Sequence, residues 1–371
     1  MSPSEAGVAP DCGEAGASTG GHALVVGALG VIGRALVERF VADPAWRVTG
    51  ISRRRPAAGD QEGAAHVSVD LRDRAAVGTA FAELDDVTHL FYAAYQAMPT
   101  RAEEVAPNVE LLRNAVDGAA GASPALRHVS LMEGGKWYGC HLGPFPTPAR
   151  EDDPRHLPPN FYYDQQDWLA GASRDASWTW SALRPEAVCG FAVGNPMNLV
   201  MVIAVYAAIC RELGVPFSFP GKRGAYEAIY EVTDARLLAA AAEWSATTPA
   251  CAGEAFNITN GDCFRWSRLW PRFAEAFGLP FAEPRTISLR EFMADKEPVW
   301  EAIVARHGLV PHRWGEIASW GFGDAIFGSD WDIVRSTLKA REYGFHDFVD
   351  SERMFLSLFD ELARRRVIPA P

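Results

Sequence analysis

The sequence has little lysine, no cysteine pairs at metal-ligand spacing and no apolar run long enough to cross a bilayer. Its formal net charge is −12 over 371 residues, which argues against general nucleic-acid binding because phosphate neutralisation needs an excess of Lys and Arg. The six cysteines are scattered, so we interpret them as reduced thiols in a cytoplasmic protein without a metal site. No basic and then apolar leader opens the chain, so secretion is not expected.

Short apolar runs alternate with helical patterns from His22 onward, which is typical of a parallel sheet in an α/β fold. Residues 1–20 are rich in Gly, Ala, Ser and Pro and predict a flexible tail. The predicted strands are Ala23–Val26, Arg47–Ser52, His66–Val69, His89–Ala93, Leu126–Leu131, Trp178–Leu183 and Ala255–Ile258. The predicted helices are Val31–Val41, Arg74–Ala82, Val109–Gly118, Leu199–Leu213, Asp234–Ala246, Trp266–Phe277, Leu289–Arg306 and Ser351–Arg366. Leu199–Leu213 carries the longest apolar run, and we expect it to be buried in the protein.

A glycine-rich loop follows the first strand. Gly27, Gly30 and Gly33 stand between an apolar strand and the start of a helix. This spacing permits a tight turn, close approach of the backbone to a pyrophosphate, and close packing of helix on strand. The free N–H groups at the helix start favour phosphate charge. The loop therefore predicts dinucleotide binding on a Rossmann-type, doubly wound parallel sheet.

The end of the second strand distinguishes the two nicotinamide dinucleotides. NAD-preferring domains carry Asp or Glu here for the ribose 2′-hydroxyl, but this chain reads Ser52-Arg53-Arg54-Arg55. Guanidinium groups match a 2′-phosphate in charge and in bidentate geometry. The expected cofactor is therefore NADPH/NADP⁺, with a solvated basic loop as the alternative. Asp70, at the end of the third strand, fits a role against adenine and a helix cap equally well.

Enzymes on such folds commonly use a Tyr with a Lys four residues later, and no Tyr-xxx-Lys occurs in this chain. There are four lysines: Lys136, Lys222, Lys296 and Lys339. Lys136 follows a strand, at the carboxyl edge of the sheet where open α/β folds bind ligands. Tyr162 and Tyr163 are the tyrosine candidates downstream. Taken alone, residues of these types are more often structural than catalytic.

Several segments together resemble one known family. They include Val26–Gly33, Gly50–Arg54, Gly135-Lys136, Asn160–Tyr163 and Lys296–Trp300, and the matching stretches run through nearly the whole ordered chain. The sequence resembles the progesterone 5β-reductase/iridoid synthase-like (PRISE) group of extended short-chain dehydrogenases/reductases. That group keeps the fold and replaces Tyr-xxx-Lys by a separated Lys and Tyr. Its plant members usually carry Arg where this chain has Gly135, and the segment 138–145 is longer here.

The resemblance implies a role for particular residues. Tyr162 would be the catalytic tyrosine and Lys136 its partner. Cofactor contacts would come from Gly27, Leu29, Gly30, Val31, Gly33, Arg53, Arg54, Asp70, Leu71, Ala94, Met132, Tyr162, Val188, Asn195, Pro196 and Met197. Candidates for an apolar pocket wall are Trp137, Phe145, Met201 and Phe322, with core packing as the alternative. His141 and His156 are interpreted as surface or capping groups.

Family members reduce the C=C bond of activated enones, including Δ4-3-ketosteroids. The expected function is thus NADPH-dependent reduction of a small hydrophobic enone or enal, with hydride added to the β-carbon. Tyr162 and Lys136 would stabilise the enolate oxygen. Two alternatives stay open: a carbonyl reductase or sugar-nucleotide epimerase/dehydratase on the same scaffold, and a non-catalytic NADPH-sensing regulator.

Two lobes are expected after the tail. Residues 21–191 would form the NADP-binding Rossmann domain, and residues 192–371 a smaller, mostly helical substrate lobe. Segments such as 230–262 would return from that lobe to the sheet. The expected partner is the small enone substrate, without nucleic acid or membrane, and a homodimer is left open.

Overall fold

The computed structural model describes residues 20–57 and 59–371, so the predicted tail lies outside the described residues except for residue 20. The strands are β1 Gly21–Val26, β2 Trp46–Ser52, β3 Ala65–Ser68, β4 His89–Tyr92, β5 His128–Met132, β6 Thr179–Pro185, β7 Val188–Cys189, β8 Phe217–Ser218, β9 Ile229–Tyr230, β10 Thr233–Asp234, β11 Glu254–Ile258, β12 Phe264–Arg265 and β13 Phe281–Ala282. The helices are α1 Val31–Ala42, α2 Arg74–Phe81, α3 Arg101–Ala122, α4 Phe161–Ala172, α5 Leu199–Leu213, α6 Arg223–Glu227, α7 Ala235–Thr247, α8 Trp266–Ala276, α9 Leu289–Phe292, α10 Glu297–His307, α11 Trp314–Ile317, α12 Trp320–Gly328, α13 Leu338–Glu342 and α14 Ser351–Arg364. Three 3-10 turns span Gly135–Tyr138, Ser173–Asp175 and Pro249–Cys251.

Seven strands form the main sheet in the order β11-β6-β5-β4-β1-β2-β3, and every neighbouring pair is parallel. The chain runs outward from β1 to β3, then crosses to β4 on the other side of β1. This is the strand order of a Rossmann fold, so the predicted fold class is confirmed. The strand β11 comes from the second half of the chain and pairs with β6.

Helices cover both faces of this sheet. On one face α1 and α7 pack through residues such as Phe40 and Leu238, which are fully buried. On the other face α2, α3 and α4 bury Phe81, Leu112 and Leu169 against the strands. Because both faces are covered, the central strands carry almost continuous apolar runs.

The second half of the chain has its own core, built largely from aromatic rings. Trp266, Trp270 and Phe327 pack edge to face with ring centroids 5.5–6.2 Å apart. The apolar helix α5 crosses this core with its residues from Leu199 to Cys210 buried, as expected. Across residues 20–57 and 59–371, none of the helices is both long and apolar enough to cross a membrane.

Several helices differ from the sequence-based expectation. The helix predicted at Val109–Gly118 begins at Arg101, because Thr100 and Glu103 form a capping box ahead of a polar first half. The stretch predicted as one helix over Leu289–Arg306 is two, α9 and α10, and Pro298 stands in the first turn of the second. Helix α4 was not expected at all, and neither were the shorter helices α6, α11, α12 and α13.

Two glycines shape the loop between β1 and α1. Gly27 has a φ of +87°, and a Cβ there would lie 2.9 Å from the backbone after β4. A Cβ on Gly33 would lie 2.1 Å from the carbonyl oxygen of Gly27. Any side chain at either position would push the loop away from the sheet, so these glycines set the shape of the cleft above it.

Candidate active site at the carboxyl edge of the sheet

Two adjoining cavities lie at the carboxyl edge of the sheet, beside the segments that follow β1 and β4. Their volumes are about 570 and 710 Å³. They share the wall residues Ala94, Tyr95, Asn195, Pro196 and Met197. Open α/β sheets bind ligands at this topological switch point. We call the first the loop cavity and the second the tyrosine cavity.

The loop cavity gathers most of the residues expected to contact a dinucleotide. They are Gly27, Leu29, Gly30, Arg53, Arg54, Asp70, Leu71, Ala94, Asn195, Pro196 and Met197. Asn195 reaches over the glycine loop, since a Cβ on Gly30 would lie 3.4 Å from its Nδ2 atom. Gly33 lies beneath the loop and not on the cavity wall.

Arg53 and Arg54 give one end of the loop cavity a positive charge. Arg53 donates a long hydrogen bond of 3.4 Å to Gln96. The carboxylate in the same wall, Asp70, is paired with Arg72 at 2.5 Å, and this hydrogen bond lowers the pKa of Asp70 to about 2. In the part of the chain that the structure describes, neither Arg53 nor Arg54 has a carboxylate within ion-pair distance. Both guanidinium groups are thus available to an anion.

The tyrosine cavity brings together Lys136 and Tyr162, which are separated in sequence. Val31, Met132 and Val188, expected as cofactor contacts, and Phe322, expected in the pocket wall, also line it. A Cβ on Gly134 would lie 3.2 Å from the Tyr162 hydroxyl, which places that hydroxyl over the turn before Lys136. Among the described residues, neither the hydroxyl nor the Lys136 ammonium has a hydrogen-bond partner.

Three of the residues expected in the pocket wall lie elsewhere. Trp137 is buried with the Arg184 guanidinium 3.6 Å from its ring centre, and Phe145 packs beside it. Met201 is buried within α5, in the aromatic-rich core formed by the second half of the chain. None of the three lines the tyrosine cavity. The core-packing alternative describes these three residues, because their size and apolarity suit a core as well as a pocket.

Asn160 joins the two halves of the Lys–Tyr pair. Its side-chain oxygen accepts a hydrogen bond from the Tyr162 backbone N–H at 3.2 Å and so caps α4. Its amide nitrogen donates to the Lys136 carbonyl oxygen at 2.9 Å. One buried amide thereby fixes the start of the tyrosine helix against the lysine turn.

Two further contacts hold the same turn. The Tyr163 hydroxyl donates to the Trp137 carbonyl at 2.6 Å. His156 hydrogen-bonds the Lys136 carbonyl through Nε2 at 2.9 Å, which agrees with the capping role expected for it. Tyr163 is therefore a support of the turn, while Tyr162 faces the cavity.

Burial shifts the proton affinities of the pair in opposite directions. It raises the pKa of the Tyr162 phenol above its ordinary value, so the phenol keeps its proton. Burial, with the nearby Arg101 charge, lowers the pKa of Lys136. The arrangement therefore suits a hydrogen-bond donor beside a positive charge, and it does not suit a phenolate base.

The tyrosine cavity also contains polar residues that sequence reasoning missed. Tyr95, Arg101 and Glu133 line it, and so does His141, which was interpreted as a surface or capping group. Burial raises the pKa of Glu133 to about 7 and lowers the pKa of His141 to about 4. Tyr95 and Glu133 each follow a strand of the sheet, and that position was a usable signal. No feature of the sequence around Arg101 indicated that this residue would line the cavity.

The comparisons with known proteins agree with this architecture. A family model described as a PRISE-like Rossmann-fold domain matches residues 66–369. The fold and cleft define an enzyme scaffold of the short-chain dehydrogenase/reductase type. The chain belongs to the PRISE-like Rossmann-fold family, and the predicted resemblance is confirmed.

Curated relatives match over nearly the full length. The chain is 34% identical to an (S)-8-oxocitronellyl enol synthase of Nepeta racemosa and 35% identical to a 3-oxo-Delta(4,5)-steroid 5-beta-reductase of Arabidopsis thaliana. Each match covers 94% of this chain and 93% of the relative. A short chain dehydrogenase of Penicillium aethiopicum is 36% identical, over 76% of this chain and 80% of its own.

Solved structures show the same fold at low sequence identity. The UDP-glucose 4-epimerase of Thermotoga maritima superposes with a TM-score of 0.66 at 16% identity, covering 92% of this chain and 99% of its own. The UDP-glucose 4-epimerase of Thermus thermophilus, in complex with NAD, gives a TM-score of 0.62 at 18% identity, covering 91% and 98%. At this level of sequence identity, the similarity to these structures shows a shared fold and nothing about activity.

Asn160→Ala is expected to lower the free energy of unfolding by about 1–3 kcal/mol, because a helix cap is lost and the Lys136 carbonyl loses a partner. Urea unfolding measures this change. The comparison variant is Thr100→Ala, which removes the cap of α3 and leaves the Lys–Tyr pair intact; it should cost about 1 kcal/mol. Equal stability of Asn160→Ala and the parent protein would contradict the bridging role.

Proposed function

We propose that this protein is an NADPH-dependent reductase of the C=C bond of hydrophobic α,β-unsaturated carbonyl compounds. The observation that carries the proposal is the tyrosine cavity, where an unpartnered phenol and an unpartnered ammonium face the same space beside the loop cavity. The names of the relatives, a steroid 5-beta-reductase and an enol synthase, support the same reaction class.

The cofactor is proposed to lie across the two cavities. Arg53 and Arg54 would hold the 2′-phosphate, and Asp70 with Leu71 would lie near adenine. The glycine loop would bind the pyrophosphate through Leu29, Gly30 and Val31. Ala94, Met132, Val188 and the turn Asn195–Met197 would flank the nicotinamide, which supplies the hydride when bound. Ala94 and Met132 have apolar side chains, so their polar contacts would come from the backbone.

The residues of the tyrosine cavity then account for the chemistry. Addition of hydride to the β-carbon of an enone leaves negative charge on the carbonyl oxygen. The Tyr162 hydroxyl would donate a hydrogen bond to that oxygen, and the Lys136 charge would stabilise it further. The α-carbon can take its proton from water. Such a reaction needs an oxyanion donor more than a proton relay, and the raised pKa of Tyr162 keeps that donor protonated.

Turnover of enones by the Tyr162→Phe variant tests the assignment of the oxyanion donor. We expect kcat for 2-cyclohexen-1-one and progesterone to fall by about 10²–10³-fold, because one oxyanion donor is lost, while NADPH affinity is kept. Tyr343→Phe, which alters a tyrosine that lines neither cavity, should leave kcat unchanged. Parental rates in Tyr162→Phe would show that another group carries the role. Parental turnover of a simple ketone alone would favour a carbonyl reductase, and tight NADPH binding without turnover would favour a sensor.

The fall of kcat on the alkaline side of the pH–rate profile is expected to reflect deprotonation of the Lys136 ammonium. Its ammonium loses charge as the pH rises through a pKa that lies below the ordinary 10.5, so kcat should fall there, whereas Tyr162 stays protonated. Lys136→Arg should move this decline to higher pH, because a guanidinium keeps its proton. Lys222→Arg changes another lysine of the same cavity and should leave the decline in place. An unchanged decline in Lys136→Arg would refute the assignment.

Arg53→Gln/Arg54→Gln is expected to weaken NADPH binding by roughly 10–100-fold, since charge-assisted hydrogen bonds to the 2′-phosphate are lost. NADH affinity should change little. Calorimetric titration with both dinucleotides measures the difference. Arg55→Gln is the matched control, because Arg55 is exposed and does not line the loop cavity. Equal weakening for NADH and NADPH would argue against a 2′-phosphate site.

A further inference from the structure

Arg335 is a guanidinium that is completely buried beside the candidate site. Its Nη1 atom donates to Glu231 Oε1 at 2.9 Å, and its Nη2 atom donates to Glu186 Oε2. The side chain has no exposed surface, and the two carboxylates are nearly as buried. A buried charge of this kind requires partners in fixed geometry. None of the roles assigned above uses it.

The guanidinium lies directly against Gly135, the residue before Lys136. A Cβ on residue 135 would lie 1.8 Å from Arg335 Nη2 and 2.1 Å from Glu186 Oε2. Gly135 is not among the residues with positive φ, so glycine is needed here for space and not for its backbone freedom. The Arg335 guanidinium and the Glu186 carboxylate occupy the volume that a side chain at position 135 would need.

The segment that carries Arg335 is itself held in place. The Ala149 N–H donates to the Val334 carbonyl at 3.0 Å, and the Ser336 N–H donates to the Ala149 carbonyl at 2.9 Å. On the other side, Glu186 follows β6 and lines the tyrosine cavity. The ion pair between Arg335 and Glu186, which follows β6, therefore packs directly against Gly135.

We propose that Arg335 is a positioning residue, which fixes the Gly135-Lys136 turn so that the Lys136 ammonium stays beside the Tyr162 hydroxyl. Asn160 holds the Lys136 carbonyl, and the Arg335–Glu186 pair holds the α-carbon before it. These two contacts come from different parts of the chain. The effect on turnover rests on the proposed function, whereas the effect on the Lys136 environment does not.

A double-mutant cycle between positions 135 and 335 tests the proposal. Gly135→Ala should displace the guanidinium and lower kcat for 2-cyclohexen-1-one by about 10–100-fold, because a misplacement near 1 Å has effects of this size. NADPH affinity should stay within about twofold, since the glycine loop and arginine pair are untouched. Arg335→Lys keeps the charge and removes the branched end that a methyl group at 135 would meet. In that background the added Ala should therefore cost little more, which is a non-additive result.

Gly171→Ala is the matched control, because a Cβ at Gly171, on α4, would meet nothing within 4 Å. It should leave kcat unchanged. Parental kcat in Arg335→Lys, or equal costs of Gly135→Ala in the two backgrounds, would overturn the proposal. Arg335→Lys keeps the proposal falsifiable if Gly135→Ala fails to fold.

A measurement that does not depend on turnover separates the positioning role of Arg335 from the proposed reductase function. The chain has four lysines, so protein made with ¹³C-labelled lysine gives four side-chain NMR signals, and Lys136→Arg identifies the one from Lys136. We expect Gly135→Ala and Arg335→Lys to shift this signal and leave those of Lys296 and Lys339 in place. Arg335→Lys adds a fifth lysine signal, and combining it with Lys136→Arg shows which of the five comes from Lys136. A shifted signal without enone turnover in the parent protein would sink the proposed function and keep the positioning role. An unmoved signal would sink the positioning role.

Discussion

The hydrogen bonds of the Asn160 side chain are the constraint on which the candidate site depends. The reductase fold usually places its tyrosine and lysine on one helix, where the spacing of the helix sets their distance. Here the two residues lie on separate segments, so their distance must be set by tertiary contacts. Asn160 supplies that contact by capping the tyrosine helix and binding the lysine turn with the same amide. The geometry of the pair is therefore only as rigid as the packing around this amide.

The electrostatics of the cleft follow from the polar groups that, among the described residues, have no partner of their own in the loop cavity and in the tyrosine cavity. Asp70 is occupied by Arg72, while Arg53 and Arg54 keep their charge for an anion. In the neighbouring cavity burial keeps the phenol protonated and makes the ammonium easier to deprotonate. One end of the cleft thus suits a phosphate and the other suits a developing oxyanion. The shared wall residues join the two ends into one binding surface.

The sequence was informative where local chemistry determines structure. The glycine loop and the parallel sheet could be predicted, because turn residues and apolar periodicity act over short distances. The family could be predicted from its matching motifs. Helix α4 was missed because its first turn, Phe161 to Tyr163, reads as an aromatic cluster with no polar face. The placement of Trp137 and Met201 in the core could not be foreseen, since a large apolar side chain suits a pocket and a core equally. The closeness of Arg335 to Gly135 joins residues 200 positions apart in sequence and depends on the tertiary fold, which local patterns do not report.

A crystal structure with NADP⁺ and a bound enone is the most direct test of the central claim, that Tyr162 and Lys136 form one oxyanion site beside the cofactor. The account predicts the enone carbonyl oxygen at about 2.6–3.2 Å from the Tyr162 hydroxyl, with the β-carbon facing the nicotinamide. A carbonyl oxygen bound away from Tyr162, or a nicotinamide placed outside the tyrosine cavity, would contradict it.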